Sequence, residues 1–383
     1  MVHSNAMVIG AIYVCPLRGL ASLEVPEPER FFRTISAARD LGLKKVLVPV
    51  LEESLVETKR AKIKFLDGLV RTLDMAAEAR IDAWLIALPQ SLLGLSWAAP
   101  AMVRAVRDSA APPVYVDGKV RHLLPLDWWR DPSLVEKKIG LLREILSAVG
   151  GHPAAYGFVI LNRALEWERP DSQAADFVTK SFAAEIREID EKIAIYLGFG
   201  LSEILDPELG QLLVGQVDGI HLSGLEADPE GINRPKGIEG ELVLAGFLGS
   251  MASWLFAKPV QVEVGWSPVE NEELKEKALD ACRILARQSL HGVTWVSLVD
   301  PHQLLLTQPP WALREGLESV GLFDKSGDPK KWVGTLIEAL SDIEENEKSC
   351  EFLDLSLEEY LKDPPMHLTR LWNRFLEAEG FGS

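Results

Sequence analysis

Eight short apolar runs alternate with longer amphipathic stretches along most of the chain: MVIGAIYV (7–14), KVLVPVL (45–51), DAWLIAL (82–88), AAYGFVIL (154–161), KIAIYL (192–197), VDGIHL (217–222), KPVQVEVGW (258–266) and HGVTWVSLV (291–299). They are rich in β-branched and aromatic residues and nearly continuous in apolar character. That is the pattern of strands in a parallel sheet buried on both faces. Between them apolar residues recur at helical spacing. Phe31 to Leu41 reads as a helix stopped by Gly42, and a long helix ends near Arg80 with Ile63, Leu66, Leu69, Val70 and Leu73 on one face. Further helices are predicted over Pro132–Val149, Ser172–Asp190, Glu241–Phe256 and Glu272–Leu290. Strand and helix alternating in this way predict an α/β fold, a (β/α)8 TIM barrel over residues 7–340. An open doubly wound sheet is the other architecture with this alternation. It is weakened by the lack of a Gly-rich dinucleotide fingerprint after the first strand.

Two segments fall outside the alternation. Residues 91–152 form the longest connection, with Trp97, a Pro-Pro turn at 112–113, a short apolar piece around Val114–Val116, and Trp128-Trp129. Loops of this length in a compact fold are usually functional. Residues 341–383 form a short C-terminal extension: an acidic run, SDIEENEK, then two short helices around Pro364-Pro365. Leu368, Leu371, Trp372 and Phe375 give the last helix an apolar face, which is expected to dock on the barrel exterior. A partner or a homo-oligomer contact through these helices is the alternative. Residues 1–6, MVHSNA, suit no structural element, with Met7 a candidate native start.

Charge narrows the ligand class. Of 383 residues, 57 are acidic and 40 basic, a net charge of −17. Such a field repels nucleic acid and anionic membrane surfaces and favours neutral or cationic ligands. Cys15, Cys282 and Cys350 are too far apart for a disulfide framework or a zinc site, and the first apolar run is too short to span a bilayer. A cytoplasmic protein without cofactor or metal is expected, with no nucleic-acid or membrane partner.

In a TIM barrel the chemistry lies at the C-terminal ends of the strands. The polar residues there are Glu52, Glu53, Gln90, Asn162, Arg163, His221, Glu263 and Asp300. Eleven tryptophans is a high count, and Trp97, Trp128, Trp129, Trp167, Trp266, Trp295 and Trp311 fall in strand ends or loops on the same side. Flat aromatic faces suit the C–H faces of sugar rings, although any single tryptophan is more often core.

From about residue 131 to 335 the motifs resemble, in order, those of the clan A glycoside hydrolases, the retaining barrel enzymes that include family 5 and family 2 members. DPSLVEKKIGLLREILSAVGGHPAAYGFVILN is similar to the helix, His-Pro turn and fourth strand that lead to the clan's Asn-Glu pair. FAAEIREIDEKIAIYLG, VDGIHLS, KPVQVEVGW, ARQSLHGVTWVSLVDP and GLFDKSGDPKKW follow in register. Residues 7–90 fit the barrel and add little. The resemblance implies Glu263 as nucleophile, His221 and Asn162 as substrate-site residues, and Trp295 as the ring platform, with Trp266, Trp129 and Asp300 further candidates on the rim. It also implies an acid directly after Asn162, where this chain has Arg163. A guanidinium stays protonated and cannot donate a proton. Glu166 or Glu168 in the following loop could supply the acid. Arg163 could instead pair with Glu263 or bind an anionic group.

Three readings remain open: a retaining glycosidase acting on a neutral saccharide with a substitute acid, a catalytically inactive carbohydrate-binding or scaffold barrel, and a metal-dependent sugar isomerase or lyase using Glu52 or Glu53, His221, Glu263 and Asp300.

Overall fold

The computed structural model describes residues 7–15, 28–56, 58–105, 113–224, 232–265, 267, 272–288, 290–308, 311–313, 317–341 and 351–381. Eight parallel strands close into a barrel. They are β1 (Val8–Ile12), β2 (Lys45–Val50), β3 (Asp82–Ala87), β4 (Ala155–Ile160), β5 (Ala194–Phe199), β6 (Gly219–Leu222), β7 (Val260–Val264) and β8 (Gly292–Val296). Each pairs with its neighbours in sequence, and β1 closes on β8 with Val8 opposite Gly292 and Ile12 opposite Val296. This is the (β/α)8 TIM barrel that the alternation of runs predicts.

Alternation along each strand divides the side chains between two cores. Val46, Val48 and Val50 of β2 face the helices, whereas Leu47 joins Ile12, Trp84, Ile86, Val159 and Val296 in a separate cluster inside the barrel. The interior is filled by placing bulk against glycine. A Cβ on Gly10 would lie 2.4 Å from Lys45, one on Gly157 2.7 Å from Trp84, and one on Gly219 2.5 Å from Tyr196. Those six inward places therefore hold a lysine, two aromatic rings and their glycine partners rather than a uniform aliphatic layer.

The helices arise where their spacing and caps predict. Asp131 caps Pro132–Val149 by accepting from the Ser133 and Leu134 amides, and Asp171 caps Ser172–Ile189 by accepting from Ala174 N. The face of the long helix differs from expectation. Helix Lys59–Ala79 buries Phe65, Leu69, Leu73 and Ala76, while Ile63 is 49% exposed, because a full 3.6-residue period runs through Phe65 and not Ile63. The long connection after β3 holds a small five-stranded sheet, of which only the apolar piece near Val114 is evident from sequence.

The helix before β7, Gly237–Phe256, is buried almost all round. A helix apolar on every face needs cover on its outer side, and the C-terminal residues supply it. Phe247 packs on Trp372 at 5.2 Å, Phe375 at 5.5 Å and Phe352 at 5.7 Å between ring centres. Leu368, Leu371, Trp372 and Phe375 of helix Pro364–Ala378 are all buried. Trp372 Nε1 donates to Asn233 O and Tyr360 Oη to Ile204 O, each at 3.1 Å. The apolar face considered above for a partner or a second copy is thus used within the chain. Among the described residues no helix is long and apolar enough to cross a membrane.

Candidate active site

Glu263 lies at the C-terminal end of β7, 1% exposed, and turns into the barrel. Its Oε2 is 3.2 Å from His221 Nε2 on β6. His221 is fully buried, so the pair is shielded from water and from salt. Gly265, with φ at +101°, ends the strand, and a Cβ there would lie 2.5 Å from Trp295. Glu241, reaching up from the helix before β7, accepts from the amides of Gly265 and Ser267. That clasp fixes the turn beside Glu263. Glu241 is 1% exposed and has no signal in a strand-end reading of the sequence, since it sits in a helix.

On the far side of the rim, β4 ends at Leu161-Asn162-Arg163. Asn162 Nδ2 donates to Ser91 O at 2.7 Å, and its Oδ1 accepts from Ser223 Oγ at 3.4 Å. Both polar atoms of this fully buried side chain are therefore spent on tying β4 to its neighbouring loops. Arg163 adopts φ +55° and its Nε donates to Glu166 Oε1. Its guanidinium lies over the rim glycine after β6, since a Cβ on Gly224 would fall 2.6 Å from Arg163 Cζ. Arg163 thus pairs with Glu166 of its own loop. Glu168 is half-buried and makes no hydrogen bond or ion pair among the described residues. Beneath this pair lies Glu203, 1% exposed, accepting from Gly200 N at 2.7 Å and Ser202 Oγ at 2.9 Å. Burial pushes its carboxyl up to about 7 against the pull of those hydrogen bonds, and the nearby Glu166 charge adds to the rise.

Several residues expected in the site are placed elsewhere. Trp295 faces the helix layer, because Thr294 and Val296 take the inward places of β8; it is 2% exposed, donates Nε1 to Val320 O at 2.8 Å and packs on Trp332. It offers no ring face to a sugar. Trp129 is likewise 2% exposed and stacked on Trp128 at 4.5 Å. Asp300 accepts from Gly321 N at 2.7 Å and Lys330 Nζ at 2.9 Å, bracing the segment after β8; burial raises its carboxyl, opposed by Lys330. Glu52 is buried in an ion pair with Lys138 at 2.7 Å. With Glu52 and Asp300 each committed to a lysine, the ligand set of the isomerase reading does not converge, and no such metal cluster occurs among the described residues. Trp266 lies outside the described residues.

Leu92, Leu93 and Leu95 from the connection after β3, and Leu305, Trp311 and Val320 from the segment after β8, join the apolar cluster of the barrel interior. Trp97 Nε1 donates to Leu92 O at 2.9 Å, closing the turn that carries the three leucines. The tryptophans expected to line an open rim belong largely to this cluster and to the helix-layer core. Trp167, on the loop between Glu166 and Glu168, is half-buried where it packs against the edge of that core, and its Nε1 has no hydrogen-bond partner among the described residues.

No family model and no curated protein matches the chain. Among solved structures, a GH5_18 protein from Bifidobacterium longum subsp. infantis is similar, with a TM-score of 0.65 at 18% identity over 89% of this chain and 80% of that one. A GH5_18 protein from Streptomyces cattleya, solved with GlcNAc, gives 0.65 at 14% identity over 88% and 80%. The exo-beta-1,4-mannosidase Op5Man5 from Opitutaceae bacterium strain TAV5 gives 0.64 at 16% identity over 87% of this chain and 58% of its own. A closed parallel barrel with these neighbours is the (β/α)8 fold that these glycoside hydrolase structures share.

Proposed function

We propose that the chain is a retaining glycosidase-type enzyme for a neutral saccharide, with Glu263 as nucleophile and a non-standard proton donor. The observation that carries the reading is the Glu263 carboxylate inside the C-terminal end of the barrel, held by His221. Glu263 attacks the anomeric carbon and forms a glycosyl ester as the leaving oxygen departs. Glu168 is the better candidate for the proton donor, since Glu166 is engaged by Arg163. The same carboxylate then takes a proton from the water that cleaves the ester, so the anomeric configuration is retained. Trp167 replaces Trp295 as the ring platform. Neighbouring structures hold Manb1-4GlcNAc, so β-mannosides are the first substrates to try.

The test is a leaving-group series of aryl β-mannosides and β-glucosides. Glu263→Gln is expected to abolish turnover of every member. Glu168→Gln is expected to spare dinitrophenyl substrates, whose leaving group needs little protonation, and to slow poorer leaving groups by about 10²–10⁴-fold. An equal loss across the series would remove Glu168 from the acid role.

A carbohydrate-binding barrel without turnover is the second reading. Arg163 in the acid's usual place and the 1% exposure of Glu263 favour it. Calorimetric binding of mannosyl oligosaccharides with no turnover of dinitrophenyl glycosides would decide for it.

A further inference from the structure

The lower interior of the barrel holds polar side chains that this chemistry does not use. Lys45 opens β2 and turns inward at 1% exposure, in the space left by Gly10. Its ammonium sits 5.1 Å from the centre of the Trp84 ring and donates to Gln261 Oε1 on β7. Strands β2 and β7 are not neighbours, so this contact crosses the barrel. Gln261 Nε2 lies 2.9 Å from His221 Nδ1, and His221 Nε2 lies 3.2 Å from Glu263 Oε2. All four side chains are 0–1% exposed, so water does not compete for their bonds.

The proton positions follow from what each group can do. An ammonium only donates, so its partner on Gln261 is the carbonyl oxygen. The Gln261 amide then presents its NH₂ to His221. An amide NH₂ also only donates, so Nδ1 is the lone-pair nitrogen and the imidazole proton sits on Nε2, directed at Glu263. We propose that Lys45, while protonated, is a positioning residue that fixes His221 in the Nε2–H tautomer through Gln261, so that a proton donor is aimed at the Glu263 carboxylate. The tautomer assignment stands without the glycosidase reading; only its consequence for catalysis rests on that reading.

The test is nitrogen NMR of the full chain labelled with ¹⁵N-histidine, at pH 6, with the His221 signals identified by their loss in His221→Gln. The wild type is expected to show a pyrrole-type Nε2 and a pyridine-type Nδ1. Lys45→Met frees the Gln261 amide to turn and is expected to give a mixture of the two tautomers. Gln261→Glu keeps a partner for Lys45 but presents a carboxylate to His221, and is expected to move the proton to Nδ1. If Lys45→Met does not fold, the Gln261→Glu exchange decides alone. A wild-type His221 protonated on Nδ1 or on both nitrogens overturns the proposal, as does a folded variant whose His221 signals match the wild type. None of these readouts depends on turnover, so failure of the tautomer assignment and failure of the glycosidase reading are separate results.

Discussion

Replacing Glu203 by glutamine should make the protein more stable, and more so as pH rises. Glu203 is 1% exposed, and burial moves its carboxyl from an ordinary 4.5 to about 7. In the unfolded chain the group loses its proton near the ordinary value, whereas in the folded chain it keeps the proton until about 7. Between these values the folded state binds more protons than the unfolded one, so stability falls as pH rises. Above about 7 both states are ionised and the penalty is constant. At 1.36 kcal/mol per pH unit, it is about 1 kcal/mol at pH 5 and about 3 kcal/mol at pH 8. Glutamine keeps an oxygen for the Gly200 amide and the Ser202 hydroxyl and carries no charge. Urea midpoints of wild type and Glu203→Gln at pH 5, 6.5 and 8 should therefore diverge with pH, the variant gaining most at pH 8. A difference that does not change with pH, or a variant less stable at pH 8, would refute the reasoning.

Three further outcomes follow from the packing. Trp295→Phe loses the Nε1 bond to Val320 and is expected to cost about 1–2 kcal/mol in urea denaturation, with unchanged sugar affinity by calorimetry; a large loss of affinity would return Trp295 to the binding site. Lys138→Met strands the buried Glu52 carboxylate and should lower stability by about 3–5 kcal/mol, read by the same denaturation. Trp372→Ala opens the contact between the C-terminal helix and Phe247 and should cost about 3–5 kcal/mol; a loss under 1 kcal/mol would mean that the helix is not part of the barrel's stability.

The barrel was legible because strand identity depends on local composition, and all eight strands fall inside the predicted runs, or, at Ala194–Phe199, overlap one by shifting two residues. The last helix was legible because Leu368, Leu371, Trp372 and Phe375 repeat at helical spacing. Facing was harder. Period two along HGVTWVSLV separates Thr294 and Val296 from Trp295, and the same alternation sets Gln261 and Glu263 on one side. Choosing the side requires one anchored residue, which His221 and Glu263 provide only when seen together. Lys45 carries no signal of its own in the run KVLVPVL, because nothing local reveals the Gly10 opposite it or the Gln261 across the barrel. Arg163 was recognisable as an unusual residue, but its partner Glu166 depends on the left-handed turn that folds the loop back on itself.

The central claim is that Glu263 is a working nucleophile, and covalent trapping tests it most directly. Activated 2-deoxy-2-fluoro glycosides with a dinitrophenyl leaving group, the β-mannoside first, bypass the need for an acid and slow the release of the glycosyl ester. Intact-protein mass spectrometry should show a single glycosyl adduct, peptide mapping should place it on Glu263, and Glu263→Gln should show none. An adduct on another carboxylate, or none on a protein that binds the same sugar by calorimetry, would contradict the account.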